Sequence, residues 1–155
     1  MPTKKSKKPL IAYIEDDGML MNMYEQLFNI HGFSFVGARD FESGEKMIKE
    51  KKPDLLLLDL LLPDKMKWIP TELNVSYGLD LLSGIKKNPL TKNIPVIVLS
   101  NMDESEIVNE ANKRGADEYM VKAHVLPKEV LAKVREILGA RGVELPCDPM
   151  KEKCE

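Results

Sequence analysis

The sequence predicts a doubly wound α/β domain built on a five-stranded parallel sheet. Short apolar runs alternate with longer segments of helical period along the whole chain. Three of the runs, LIAYI, LLLL and VIVL, are apolar throughout rather than alternating, as strands covered on both faces must be. Glycine, proline and aspartate punctuate the changes from one pattern to the next. A length of 155 residues suits one domain of ordinary size.

The elements follow in order. Leu10–Ile14 is the first strand, and Met19, Met23, Leu27 and Ile30 recur at helical spacing after it, up to a glycine stop at His31-Gly32. Phe33–Ala38 is the second strand, with Asp40 placed to cap the second helix. Asp54–Leu60 is the third. The connection from Leu61 to Tyr77 then precedes a third helix and far exceeds the ~2 to 6 residues usual for a strand-to-helix loop. Ile94–Leu99 is the fourth strand, followed by a helix capped by Asp103 with Glu106 three residues on, which ends at Arg114-Gly115. Glu118–Val121 is the fifth strand. Pro127 suits the first turn of a last helix, whose apolar positions are Val130, Val134, Ile137 and Leu138. Right-handed crossovers put helices on both faces of such a sheet.

The expected organisation is a basic arm at 1–9, a domain at 10–140 with an insertion at about 64–77, and a tail at 141–155. That tail carries Pro146 and Pro149 and no periodicity, so we expect it to stay off the core.

Charge and composition exclude several functions. The chain has 23 basic and 25 acidic residues, a net charge of −2, and a pI near 5.8. Nucleic acid is therefore not expected as a partner, since phosphate-backbone binding needs a concentrated basic face. Lys4, Lys5, Lys7 and Lys8 read as a solvated arm. No apolar run approaches the ~18 to 20 residues of a bilayer span, so no membrane insertion is expected. Only Leu10–Ile14 follow the lysines before Glu15, Asp16 and Asp17, too few for a secretory signal. The two cysteines, Cys147 and Cys154, both lie in the tail and are expected as exposed, reduced thiols in a cytoplasmic protein.

Ligands of open parallel sheets bind at the carboxyl ends of the strands. There the first strand delivers Glu15, Asp16 and Asp17, the third Asp59, the fourth Ser100 and the fifth Lys122. Carboxylates gathered this closely repel by roughly 4 kcal/mol for a pair 4 Å apart at an effective dielectric of about 20. A hard divalent cation offsets that, and Mg²⁺ prefers one or two carboxylates with water and phosphate oxygens. With Lys122 opposite, a phosphoryl group becomes the natural substrate and Asp59 its carboxylate nucleophile.

These segments, YIEDD, LLLLDLLLP with Pro63 four after Asp59, PVIVLS and GADEYMVK, carry a resemblance. From about Leu10 to Gly139 the chain resembles the receiver domain of two-component response regulators, the fold of the chemotaxis regulator. The resemblance implies a flavodoxin-like sheet of strand order 2-1-3-4-5. It implies that Asp59 accepts a phosphoryl group from the phosphohistidine of a sensor histidine kinase or a histidine phosphotransfer protein. Asp16 matches the direct Mg²⁺ ligand, Glu15 its acidic neighbour acting through water, and the backbone carbonyl of Leu61 the position completing the metal shell. Lys122 matches the lysine that pairs with phosphoryl oxygens, Ser100 the switch hydroxyl and Tyr119 the switch aromatic. A downstream protein is then expected at the face made by the fourth helix, fifth strand and fifth helix. The expected function is that of a stand-alone response regulator that catalyses its own phosphotransfer.

Three departures accompany the resemblance. Ala123 stands where the family usually places a proline in a cis peptide, and a non-proline cis bond costs about 3 kcal/mol. Lys122-Ala123 is thus either strained or trans with a remodelled loop. Leu61 and Met102 flank the phosphoryl position and cannot orient water as polar residues there would, so slow self-dephosphorylation is expected. The long insertion brings Lys65, Lys67 and Trp68 near the rim, either as an excursion packed on the third helix or as a partial lid.

Other functions compete. A receiver-fold adaptor that never phosphorylates is opposed by Glu15, Asp16, Asp59, Ser100 and Lys122, and Ala123 keeps it in play. A flavin carrier would need hydroxyls and amides after the first strand, where this chain is acidic. A dehalogenase-type phosphatase would need an aspartate where Leu61 stands. Asp17 reads better as the start of the first helix than as a metal ligand.

Overall fold

A computed structural model describes residues 7–62 and 75–149. The order is β1 (Leu10–Ile14), α1 (Gly18–Ile30), β2 (Ser34–Ala38), α2 (Phe41–Lys51), β3 (Leu55–Leu58), α3 (Ser76–Lys87), β4 (Val96–Ser100), α4 (Ser105–Lys113), β5 (Glu118–Val121) and α5 (Pro127–Ala140). The five strands form one parallel sheet in the order β2-β1-β3-β4-β5. Strand ends differ from the sequence expectation by one or two residues.

Period-two alternation splits each apolar strand between two cores. Ala12, Ile14, Leu56, Leu58, Val96 and Val98 face Ile48 of α2, Leu79, Leu82 and Ile85 of α3, and Ala111 of α4. Ile11, Tyr13, Leu55, Leu57, Ile97 and Leu99 face Tyr24 and Phe28 of α1 and Val130, Leu131, Val134 and Leu138 of α5. Each fully buried large side chain stabilises the fold by about 1.5 to 3 kcal/mol relative to exposure.

Most local punctuation behaves as its chemistry requires. Asp17 caps α1, its carboxylate accepting from the N–H groups of Met19 at 2.9 Å and Leu20 at 3.1 Å. Asp40 caps α2 through Ser43 N–H at 2.8 Å. Gly32 and Gly115 follow α1 and α4 with φ of 87° and 106°, where a side chain would be strained. Gly78 in the first turn of α3 is needed for another reason. A Cβ there would lie 2.5 Å from the Leu60 carbonyl oxygen, so only glycine lets α3 pack on the chain leaving β3.

Four expectations are corrected. The cap of α4 is Glu104, without a side-chain cap hydrogen bond, not Asp103. The buried side of α1 is Tyr24 and Phe28, whereas Met19, Met23 and Ile30 are exposed, because the sheet and α5 meet the aromatic stripe rather than the methionine stripe. Part of the tail joins the core: Val143 and Leu145 pack against the α1/α5 side, and Arg135 Nη1 donates to the Pro146 carbonyl at 2.8 Å. Finally, Cys147 is disulfide-bonded rather than a reduced thiol. Lys4, Lys5, Pro63, Lys65, Lys67, Trp68 and Cys154 lie outside the described residues. Among the described residues no helix is long and apolar enough to cross a membrane.

Candidate functional site

The register of the sheet assembles the site. Ile14 pairs with Leu58, so Glu15 and Asp59 leave neighbouring strands at one level, and Asp59 N–H donates to the Ile14 carbonyl at 3.1 Å. Ser100 pairs with Val121, which brings Lys122 to the same edge from β5. Glu15, Asp16, Asp59, Leu61, Ser100 and Lys122 all line one cleft of about 360 Å³.

Within it Lys122 Nζ donates to Asp59 Oδ2 at 2.7 Å and also to Glu15 Oε2. The other Asp59 oxygen accepts from Leu61 N–H at 3.0 Å, which fixes the carboxylate plane. Among the described residues there is no cis peptide, so Lys122-Ala123 is trans. The chain passes through a short 3-10 turn at Lys122–His124, which still delivers the ammonium to both carboxylates.

Charge is unbalanced here. Burial pushes the Glu15 carboxyl up; the Lys122 hydrogen bond opposes this, the Asp59 charge adds to it, and the net is a rise. Burial, then the neighbouring Glu15, hold Asp16 above the ordinary aspartate value. Burial alone would lower Lys122, but Asp59 and Glu15 outweigh it and hold the ammonium above its usual value. Glu15, Asp16 and Asp59 present carboxylate oxygens within 4.8 Å of one another, a set that could hold a metal ion. An all-oxygen, acidic donor set with one ammonium beside it fits a hard divalent cation.

Behind the cleft, Ser100 Oγ accepts from Met102 N–H at 3.3 Å, and the Tyr119 hydroxyl donates to the Met102 carbonyl at 2.5 Å. Ser100 and Tyr119 are thereby tied to the same residue of the loop after β4.

Two residues escaped the sequence reading. Arg39, from the loop after β2, donates through Nε to the Asp16 carbonyl at 2.8 Å, and no local pattern marks it. Tyr13 donates its hydroxyl to Glu15 Oε2 at 3.2 Å. A signal existed for the second: residues two apart on a strand share a face, and a hydroxyl in a doubly covered strand needs a partner.

The sheet and cleft together define a doubly wound α/β protein with an acidic, metal-competent site at the carboxyl edge of its strands. The family model described as "Response regulator receiver domain" matches residues 11–135, and the chain belongs to that family. That family is the receiver domain of two-component response regulators. The chain is 30% identical over 128 residues to the phosphate regulon transcriptional regulatory protein PhoB of Klebsiella pneumoniae, an alignment covering 83% of this chain and 51% of that protein. It is 27% identical over 141 residues to the alkaline phosphatase synthesis transcriptional regulatory protein PhoP of Bacillus subtilis, covering 91% of this chain and 53% of that one. The chain spans about half the length of these relatives. Among solved structures, a putative response regulator from Chloroflexus aurantiacus superposes with a TM-score of 0.70 at 25% identity, covering 86% of this chain and 99% of the other. A CheY-like receiver domain protein from Methanospirillum hungatei shares the fold with a TM-score of 0.74 at 24% identity, covering 88% and 98%.

Proposed function

We infer that this protein accepts a phosphoryl group on Asp59 from the phosphohistidine of a sensor histidine kinase or histidine phosphotransfer protein, with Mg²⁺, and thereby switches its binding to a partner. The observation that carries this reading is the Lys122 ammonium 2.7 Å from Asp59, beside a second and third carboxylate.

An Asp59 oxygen attacks the phosphorus, forming an acyl phosphate as the phosphorus–nitrogen bond breaks and its electron pair returns to the imidazole. Leu61 N–H holds the spare Asp59 oxygen while the other reacts. Lys122 is placed to leave Asp59 and pair with phosphoryl oxygens. Mg²⁺, held by Glu15, Asp16, Asp59 and the Leu61 carbonyl, would supply positive charge for the phosphoryl oxygens and the carboxylates around them.

The switch starts from the bonds on Met102. When Ser100 turns toward a phosphoryl oxygen it releases Met102 N–H, and the loop that anchors the Tyr119 hydroxyl is freed. Tyr119 can then rotate, changing the α4/β5/α5 face offered to a protein partner. That the protein works as a stand-alone regulator belongs to this proposal. A denatured polypeptide mass of 17.6 kDa for the protein isolated from its own cells would support it, and a larger polypeptide would overturn it.

Intact mass spectrometry after incubation with Mg²⁺ and acetyl phosphate tests the central claim. One added phosphoryl group, lost in Asp59→Asn, is the expected result. No gain with acetyl phosphate or with phosphorylated histidine donors would favour a receiver-fold adaptor that binds partners without phosphorylation.

A further inference from the structure

Both oxygens of Glu15 are held from within the protein. Oε1 accepts from Asp17 N–H at 3.2 Å, and Oε2 accepts from the Tyr13 hydroxyl at 3.2 Å and from Lys122. The Lys122 contact is on a flexible side chain whose other partner is the reactive Asp59. The Tyr13 contact is on a fully buried ring.

Tyr13, in β1, lies two residues before Glu15, which follows the end of the strand, and is fully buried. Its ring meets Tyr24 of α1 edge-on, with centroids 5.5 Å apart and planes at 88°. Tyr24 in turn stacks on Phe28 at 6.2 Å, and Phe28 meets Phe33 at 5.6 Å. The Tyr13 hydroxyl, at the end of a ring packed on this aromatic cluster, donates to Glu15 Oε2.

We propose that Tyr13 is a positioning residue for the metal-competent cluster: its buried hydroxyl fixes the direction of the Glu15 carboxylate and so tightens the binding of a divalent cation beside Asp16 and Asp59. The proposal rests on the reading of the cleft as a Mg²⁺ site. Its logic is that of outer-shell partners generally, which orient a ligand so that binding need not order it. A Glu15 tethered by Tyr13 also keeps its place when Lys122 departs toward a phosphoryl group.

Calorimetric titration of the unphosphorylated, full-length protein with Mg²⁺ alone tests this. Tyr13→Phe should weaken Mg²⁺ about tenfold, the lower end of the range for lost outer-shell partners. Tyr13→Leu, which also lacks the hydroxyl, should weaken it at least as much. Tyr24→Phe, altering a buried phenol that makes no hydrogen bond to the cluster among the described residues, should leave Mg²⁺ affinity unchanged. In a Glu15→Ala background the Tyr13→Phe effect should vanish, and saturating Mg²⁺ should restore the maximal rate of phosphorylation by acetyl phosphate to Tyr13→Phe. Unchanged Mg²⁺ affinity in Tyr13→Phe would overturn the proposal, as would equal weakening by Tyr24→Phe or persistence of the effect without Glu15. A wild-type protein that binds no Mg²⁺ would overturn the metal site and this inference together. Wild-type binding indifferent to the hydroxyl would overturn only the role of Tyr13.

Discussion

Replacing Lys122 by methionine keeps most of the side chain's volume and removes its charge. In the cleft that ammonium holds two carboxylates nearly shut off from water, Glu15 at 2% and Asp59 at 7% side-chain exposure. Without it the two face each other within 4.8 Å, a repulsion of about 3.5 kcal/mol at an effective dielectric of about 20. Proton uptake by Glu15, already pushed up by burial, relieves part of this. Removing one partner of a buried pair costs about 3 to 5 kcal/mol, so with that relief we expect a loss of about 2 to 4 kcal/mol. For a domain of this size that lowers the metal-free melting temperature by about 5 to 12 °C. Thermal unfolding at neutral pH, followed by circular dichroism with and without Mg²⁺, measures it. The variant should gain more from Mg²⁺ than the wild type does, because the cation replaces the missing charge. An unchanged metal-free melting temperature, or a Mg²⁺ effect no larger than in the wild type, would refute the electrostatic account of the cleft.

Further predictions concern the cap, the tyrosines and the phosphorylated state. Asp17→Ala removes the side-chain cap of α1 and should cost about 1 kcal/mol in chemical denaturation while Mg²⁺ affinity stays near wild type, since Asp17 caps rather than ligates. Burial pushes Tyr24 up to about 12 from 10.0, so ultraviolet titration should show it un-ionised where a free tyrosine has titrated. A folded-state pKa above the unfolded one contributes stability that is complete below pH 10 and is lost as pH rises through 12, so alkaline unfolding should begin in that window. Leu61→Asn should shorten the lifetime of phosphorylated Asp59, because an amide lining the cleft can orient water and leucine cannot; wild-type decay within seconds would contradict this.

Much of the molecule was legible before folding. Apolar runs covered on both faces mark β1, β3 and β4, and the residue after each run reaches the carboxyl edge because a chain leaving a strand has nowhere else to go. That is why Glu15, Asp16, Asp59, Ser100 and Lys122 could be named together from local pattern alone. The caps at Asp17 and Asp40 and the stops at Gly32 and Gly115 are equally local, set by backbone geometry within a turn.

Other features required the assembled fold. Met19, Met23 and Ile30 form as good a helical stripe as Tyr24 and Phe28, and only packing against β1 and α5 decided which is buried. Val143 and Leu145 look like tail until the groove between α1 and α5 exists to receive them. The reach of Lys122 across an Ala123 turn to Glu15, 107 positions away, and the aim of the Tyr13 hydroxyl depend on strand register and on the walls around each side chain. Periodicity and turn chemistry act over a few residues, so they specify the elements and the residues at their ends from the chain alone. Which oxygen faces which donor is set by contacts between distant segments, and those contacts exist only once the sheet has its register and the helices are packed on it.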